Sequence, residues 1–242
     1  MSLHRPGRTS GPFRAVVTDV DGTLTGPDRR IDPRAIGAVR RLESRQIPVL
    51  LATGNVLPIA LALHRSLGLS GPIVAENGGL VYRRVNGEDR VERLADRRVA
   101  LRAYRALRSA GVPVRRLFTD RWRETEVALE PNVPLARIRR TLAERGIDVE
   151  SIPTGYAIHL MERGRGKLPA LERALEPLGL APVDCVVLGD GDNDAGMLRA
   201  SGFGVSFASG SPRARRAARY VARSAFAGGF VEGLKASGLL AR

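Results

Sequence analysis

Strand-length apolar runs alternate with amphipathic segments along most of this chain, and that alternation restricts the fold more than any other feature. "FRAVVTD" reads as a strand, and "DPRAIGAVRRLESRQ" then repeats apolar residues at helical spacing after an Asp-Pro start. "IPVLLAT", the helical "LPIALALHRSLG" and "GPIVAEN" continue the pattern. Buried strands joined by helices call for a parallel sheet covered on both faces.

The pattern changes near Tyr82. "LVYRRV" and "RVERLA" flank Asn86-Gly87, a hairpin signal. A helix is expected around 97–110, strands near 113–118 and 124–130, a helix over 134–145, and strands in "IDVESI" and "GYAIHLM". These strands mix apolar and charged positions, as a half-exposed antiparallel sheet does. Residues 82–163 therefore read as an α+β insertion. After "ERGRG" the first pattern resumes, with a helix over about 168–178, the strand "DCVVLGD", a helix from "DAGMLRASG", the strand "GFGVSF" and helices near 211–218 and 228–238. The expected architecture is α/β, a Rossmann-like doubly wound parallel sheet formed by 13–81 and 164–242, interrupted by the insertion.

The opening "MSLHRPGRTSGP" has no apolar core of the signal-peptide kind, so residues 1–12 are expected to form a short disordered tail. No apolar stretch is long enough to span a membrane, and Cys185, the single cysteine, reads as a buried small hydrophobe. The cytoplasm is the expected compartment. The net charge of +14 raises the question of nucleic acid, but the arginines are dispersed, without the basic–aromatic alternation of single-strand binders. Nucleic acid is not expected as a partner; a small anionic substrate would profit from the same field.

Three apolar runs stop in polar clusters: Asp19 and Asp21 in "VVTDVDGT", Thr53-Gly54-Asn55 in "LLATGN", and Asp190 to Asp194 in "GDGDND". In open parallel sheets ligands bind beyond the carboxyl ends of the strands, so the three should meet. Asp19, Asp190 and Asp194 together would repel unless one stayed protonated or a hard cation lay between them. Mg²⁺ suits a few carboxylates supplemented by water and phosphate oxygens. His4, His64 and His159 are scattered and offer no competing zinc site. An EF-hand beginning at Asp190 fails at Ala195 and Ser201, and a dinucleotide fingerprint fails at Asp194. "GRGK" lacks the first glycine of a P-loop, where Met161 stands, and Leu168 replaces its Ser/Thr. With a cation in place, one acid of "DVDGT" can attack phosphorus while the other handles protons. Thr53, Gly54 and the ammonium of Lys167, one of only two lysines, can surround a phosphoryl group.

Those four stretches, in this order, resemble the motifs of the haloacid dehalogenase superfamily of Mg²⁺-dependent phosphatases. "DVDGT" is similar to the first motif, "LLATGN" to the second, Lys167 to the third and "GDGDND" to the fourth. "AENGG" and the position of the insertion resemble the branch with a C2-type cap. Within it, "TGNVLP" and "GPIVAENGG" look most like the archaeal-type phosphoglycolate phosphatases. The resemblance runs from Phe13 to the C-terminal "GGFVEGL". It implies that Asp19 is the nucleophile and a metal ligand and Asp21 the acid/base, with its carbonyl also on the metal. It further implies that Thr53 and Lys167 hold the phosphoryl group, with Gly54 and Asn55 beside them. Asp190 and Asp194 would complete the Mg²⁺ site and Asn193 would orient it. Leu168 departs from the glycine common after the motif-three lysine, and Ala218-Arg219-Tyr220-Val221 departs from an Ala-Asp-Tyr-Val stretch.

The expected partner is a small phosphorylated anion, 2-phosphoglycolate first, hydrolysed through an aspartyl-phosphate. A sugar-phosphate phosphatase is the alternative, followed by a phosphomutase and by a nonenzymatic nucleic-acid binder on the same scaffold. Arg121 and Arg123 in "TDRWRE" are candidates to meet a substrate carboxylate. Oligomeric state is open, a homodimer included.

Overall fold

The structure, a computed structural model, describes residues 13–241. The tail expected at 1–12 lies outside the described residues. The first part of the chain forms β1 (Ala15–Thr18), α1 (Pro33–Ser44), β2 (Val49–Ala52), α2 (Leu57–Leu67) and β3 (Ile73–Ala75). Asp32 caps α1 by accepting from the Arg34 N–H at 2.8 Å, with Pro33 in the first turn, where its missing donor costs nothing. Gly68, at φ 72, ends α2 in the left-handed conformation glycine adopts freely. β4 (Leu80–Val85) and β5 (Glu88–Arg93) follow as a hairpin.

The middle of the chain supplies α3 (Arg97–Ser109), β6 (Val127–Leu129), α4 (Leu135–Glu144), β7 (Val149–Pro153) and β8 (Ile158–Glu162). The last part adds α5 (Lys167–Leu175), β9 (Cys185–Leu188), α6 (Ala195–Ala200), β10 (Phe203–Phe207), α7 (Pro212–Ala217), β11 (Tyr220–Ala222) and α8 (Phe226–Ala236).

The strands make an eight-stranded sheet in the order β11-β10-β9-β1-β2-β3-β4-β5 and a three-stranded one in the order β6-β8-β7. The first six strands of the large sheet are parallel, and β4 and β5 run antiparallel at its edge. β1 has β2 on one side and β9 on the other, so the chain order reverses around it. Its side chains alternate between two cores. Val16 packs with residues of α1, α2 and α8, while Ala15 and Val17 pack with residues of α5 and α6. Each fully buried Leu or Val of these strands contributes roughly 1.5–3 kcal/mol. The α/β class is as the alternation of runs led one to expect.

Two expectations need correction. The hairpin at 82–93 belongs to the large sheet, because β4 pairs with β3 through Ile73–Tyr82, Val74–Val81 and Ala75–Leu80. The small sheet begins only with β6. Residues 113–118 make no strand; they run beside β6 with one bridge, Arg116–Leu129, and two hydrogen bonds, Leu117 N–H to Ala128 O and Glu130 N–H to Arg115 O. Pro113 has no N–H to give a ladder, and Phe118–Trp122 turns into a 3₁₀ helix. The strand β11 had no counterpart among the expected elements.

Candidate active site

Pairing places the three polar clusters side by side. β1 lies in register with β2 and β9, Val16 facing Val49 on one side and Val186 on the other, so all three strands end at one level. Asp19 leaves β1 with its N–H donated to Leu188 O at 3.0 Å, and Thr53 leaves β2 with its N–H donated to Val74 O at 2.9 Å. Gly189 and Asp190 follow β9 directly.

Lys167 opens α5 and is 2% exposed. Its Nζ donates to Asp19 Oδ1 at 2.8 Å and to Asp194 Oδ1 at 2.7 Å. Asp194 Oδ2 accepts the backbone N–H groups of Asp190 and Gly191, at 3.1 and 2.9 Å. Asp190 Oδ1 accepts from the Thr23 hydroxyl at 3.2 Å. Gly22, at φ 80, passes so close that a Cβ there would collide with the Asp190 carboxylate. Asn55 Nδ2 donates to Asp21 Oδ2 at 2.7 Å and to Thr53 Oγ1 at 3.1 Å. Two bonded sets thus meet at the strand ends, Asp19, Lys167, Asp194 and Asp190 in one and Asp21, Asn55 and Thr53 in the other. Gly54 and Asn193 join Asp19 and Asp21 in the lining of a cleft of about 620 Å³. Asn193 bonds neither to the acids nor to the lysine; its Nδ2 donates to Asn77 Oδ1 at 3.0 Å.

The charges fit a hard divalent cation. Asp19, Asp190 and Asp194 each present an oxygen within 4.8 Å of the others. One ammonium faces three acids, of which Asp19 and Asp194 are buried and Asp190 is half-buried. Burial pushes the Asp19 carboxyl well above the usual carboxylate range, against the pull of Lys167. Burial, reinforced by Asp194, lifts Asp190 to about 6. For Lys167 burial acts the other way, but Asp19 and Asp194 outweigh it and hold the ammonium charged. An all-oxygen donor set with surplus negative charge suits Mg²⁺ better than a thiolate- or imidazole-seeking metal.

The sequence matches a family model described as haloacid dehalogenase-like hydrolase over residues 16–125 and 135–234. The chain belongs to that family. This hydrolase is 37% identical to a phosphoglycolate phosphatase of Methanococcoides burtonii over 92% of its own length and 96% of the relative's. It is 38% identical to one of Methanothermobacter thermautotrophicus, covering 92% and 98% of the two chains. A Thermoplasma acidophilum protein of solved structure superposes with a TM-score of 0.83 at 26% identity, over 94% of this chain and 99% of that one.

The hydrolase also carries a buried polar network that its motifs do not announce. Glu126, just ahead of β6, accepts from Asn77 Nδ2 at 3.0 Å, faces His159 Nδ1 at 2.9 Å and is paired with Arg123. Burial opposes ionisation of Glu126, yet His159 and Arg123 win and hold its carboxyl down to about 2. Arg123 also donates to Gly54 O at 3.0 Å, and Asn77 links the network to Asn193. Glu76 accepts the backbone N–H groups of Glu124 and Thr125 and the Thr125 hydroxyl. The inserted block is therefore bonded to the loop after β2 and to the "AENGG" turn. Arg123, a candidate carboxylate receptor in the sequence, is committed to Glu126 and Gly54. Arg121 lies over the Phe118 ring at 4.3 Å, outside the cleft lining. Tyr156 and Arg29, neither singled out by the sequence, do line it.

Proposed function

We propose that this hydrolase cleaves small phosphomonoesters with the help of Mg²⁺, through an aspartyl-phosphate on Asp19, and that 2-phosphoglycolate is its substrate. The observation that carries this reading is the Asp19 carboxylate, tied by one oxygen to Lys167 and set against Asp190 and Asp194 at the end of β1. The relatives named for phosphoglycolate, matched over nearly their whole length, support the choice of substrate.

Asp19, Asp190 and Asp194 would hold the cation, which supplies Lewis acidity and offsets their negative charge when bound. The Asp19 oxygen not held by Lys167 attacks phosphorus as the bond to the ester oxygen breaks. Asp21, steered by Asn55, passes its proton to the departing oxygen, which leaves as an alcohol. The ionised Asp21 then takes a proton from a water molecule whose oxygen attacks phosphorus. Inorganic phosphate departs and Asp19 is restored as a carboxylate. Thr53 and Lys167 surround the phosphoryl oxygens throughout.

The test is phosphate release from a panel of phosphomonoesters with Mg²⁺ and with EDTA. Turnover is expected only with Mg²⁺, with 2-phosphoglycolate ahead of hexose phosphates. Equal turnover in EDTA would remove the metal from the reading, and a preference for hexose phosphates would change the substrate.

A further inference from the structure

We propose that Arg29 is the specificity-determining cation of the cleft, receiving the carboxylate of a small phosphorylated acid; the inference rests on the phosphomonoesterase reading above.

The cleft is acidic. Asp19, Asp21, Asp190 and Asp192 all line it, and among its described lining residues Arg29 is the one arginine or lysine. A substrate carboxylate entering beside the phosphoryl group would meet those four acids, and a single bound cation would already be engaged with three carboxylates and the phosphate. A second negative group needs a positive partner of its own. Arg121 and Arg123 do not supply it, the first lying outside the lining and the second bound to Glu126 and Gly54.

The placement of Arg29 has a conformational cost. It sits at φ 62, in a turn closed by its N–H on Gly26 O at 3.0 Å and by the Thr25–Ile31 bridge. A side-chain-bearing residue is uncommon there and glycine would be unstrained. Strain that persists in this way is a recurrent mark of a functional position. The guanidinium carbon lies 4.3 Å from the centre of the Tyr156 ring, a cation–π contact. A contact of this kind uses none of the guanidinium N–H groups as hydrogen-bond donors to an oxygen, and a guanidinium fork takes a carboxylate bidentately. Among the described residues Arg29 makes no ion pair, and its side chain donates to no protein acceptor.

Tyr156 comes from the loop between β7 and β8 in the inserted block, whereas Arg29 comes from the turn after β1. The contact joins the two parts of the chain within the cleft lining, so a carboxylate bound at Arg29 would be recognised with the inserted block in place. This also assigns the insertion a part in selectivity through Tyr156 rather than through its own arginines.

The experiment compares kcat/KM for 2-phosphoglycolate with that for 2-hydroxyethyl phosphate, in which a carbinol replaces the carboxylate. Wild type, Arg29→Gln, Arg29→Lys and Arg29→Gly are measured with Mg²⁺, together with their thermal midpoints. Arg29→Gln is expected to reduce the preference for the carboxylated substrate about 10- to 100-fold, mainly through KM. Arg29→Lys should keep more of that preference than Arg29→Gln. Arg29→Gly should lose it while its midpoint stays within about 3 °C, because relief of strain offsets loss of the cation–π contact. A preference unchanged in all three variants, or losses equal on both substrates, would overturn the assignment while leaving the phosphatase reading standing. Failure of the wild type to hydrolyse 2-phosphoglycolate at all would sink both.

Discussion

The large sheet and the small sheet bury their strands to different ends. In the large one β1, β2 and β9 are buried along their whole length and apolar on both faces up to the last residue or two, with chemistry confined to where they stop. In the small one Val127, Leu129, Ile158 and Leu160 share a core with residues of α3 and α4. Ala128, His159 and Met161 are just as buried but outside that core, on the alternate positions of the same strands. A parallel strand covered twice has nowhere but its end for a polar group. An antiparallel strand with one face packed on helices can use the other for a charged network. The large sheet thus carries the acids proposed to react, and the small one, with the residue just ahead of it, carries the Glu126–His159 pair that helps tie the insertion to the loop after β2.

This division can be broken from either side. Asp19→Asn should lower turnover of every phosphomonoester at least about a thousandfold, measured as phosphate release with saturating Mg²⁺. A variant that spared one substrate would show chemistry outside the strand ends. Glu126→Ala should leave Arg123 and His159 without their carboxylate, costing about 3–5 kcal/mol, or a fall in thermal midpoint of roughly 10 °C. The pH dependence has a definite sign. The Glu126 carboxyl is lowered in the folded protein from an ordinary 4.5 to about 2, so its contribution is complete above about pH 4.5 and disappears as pH falls toward 2. Denaturant melts should therefore show the gap between wild type and Glu126→Ala closing across that window; a gap independent of pH would mean the carboxylate is not stabilising. Arg121→Ala, which removes a cation–π contact with the exposed Phe118 ring outside the cleft lining, should change KM for 2-phosphoglycolate less than about twofold in steady-state assays.

The strand-end clusters were legible because each is local: an apolar run, then its acids or Thr-Gly-Asn, and parallel pairing brings such ends together whatever the helices between them. The hairpin was misplaced for a physical reason. β5 is exposed along most of its length and rich in charge, as an outer edge of a large sheet and a separate small sheet both are. Only its pairing through β4 to β3 distinguishes them, and that is a tertiary fact. Glu126 and His159 lie 33 positions apart and read singly as polar residues on alternating strands. No spacing rule links them. Arg29 was hidden differently, since Pro-Asp-Arg-Arg reads as an ordinary polar turn until the backbone shows which arginine takes the left-handed position.

The scarcity of lysine gives the buried ammonium a further consequence. Among 39 basic residues only Lys167 and Lys235 carry side-chain amines. Lys235 stands exposed in the last turn of α8, while Lys167 is enclosed and kept protonated by its two aspartates. Acylating reagents attack the neutral, accessible amine, so the folded protein should accept a label at Lys235 and refuse one at Lys167. Slow modification at Lys167 then becomes a clock for the opening of α5 away from the sheet. The residue proposed to steady the phosphoryl group doubles as a built-in reporter of how often the catalytic centre comes apart.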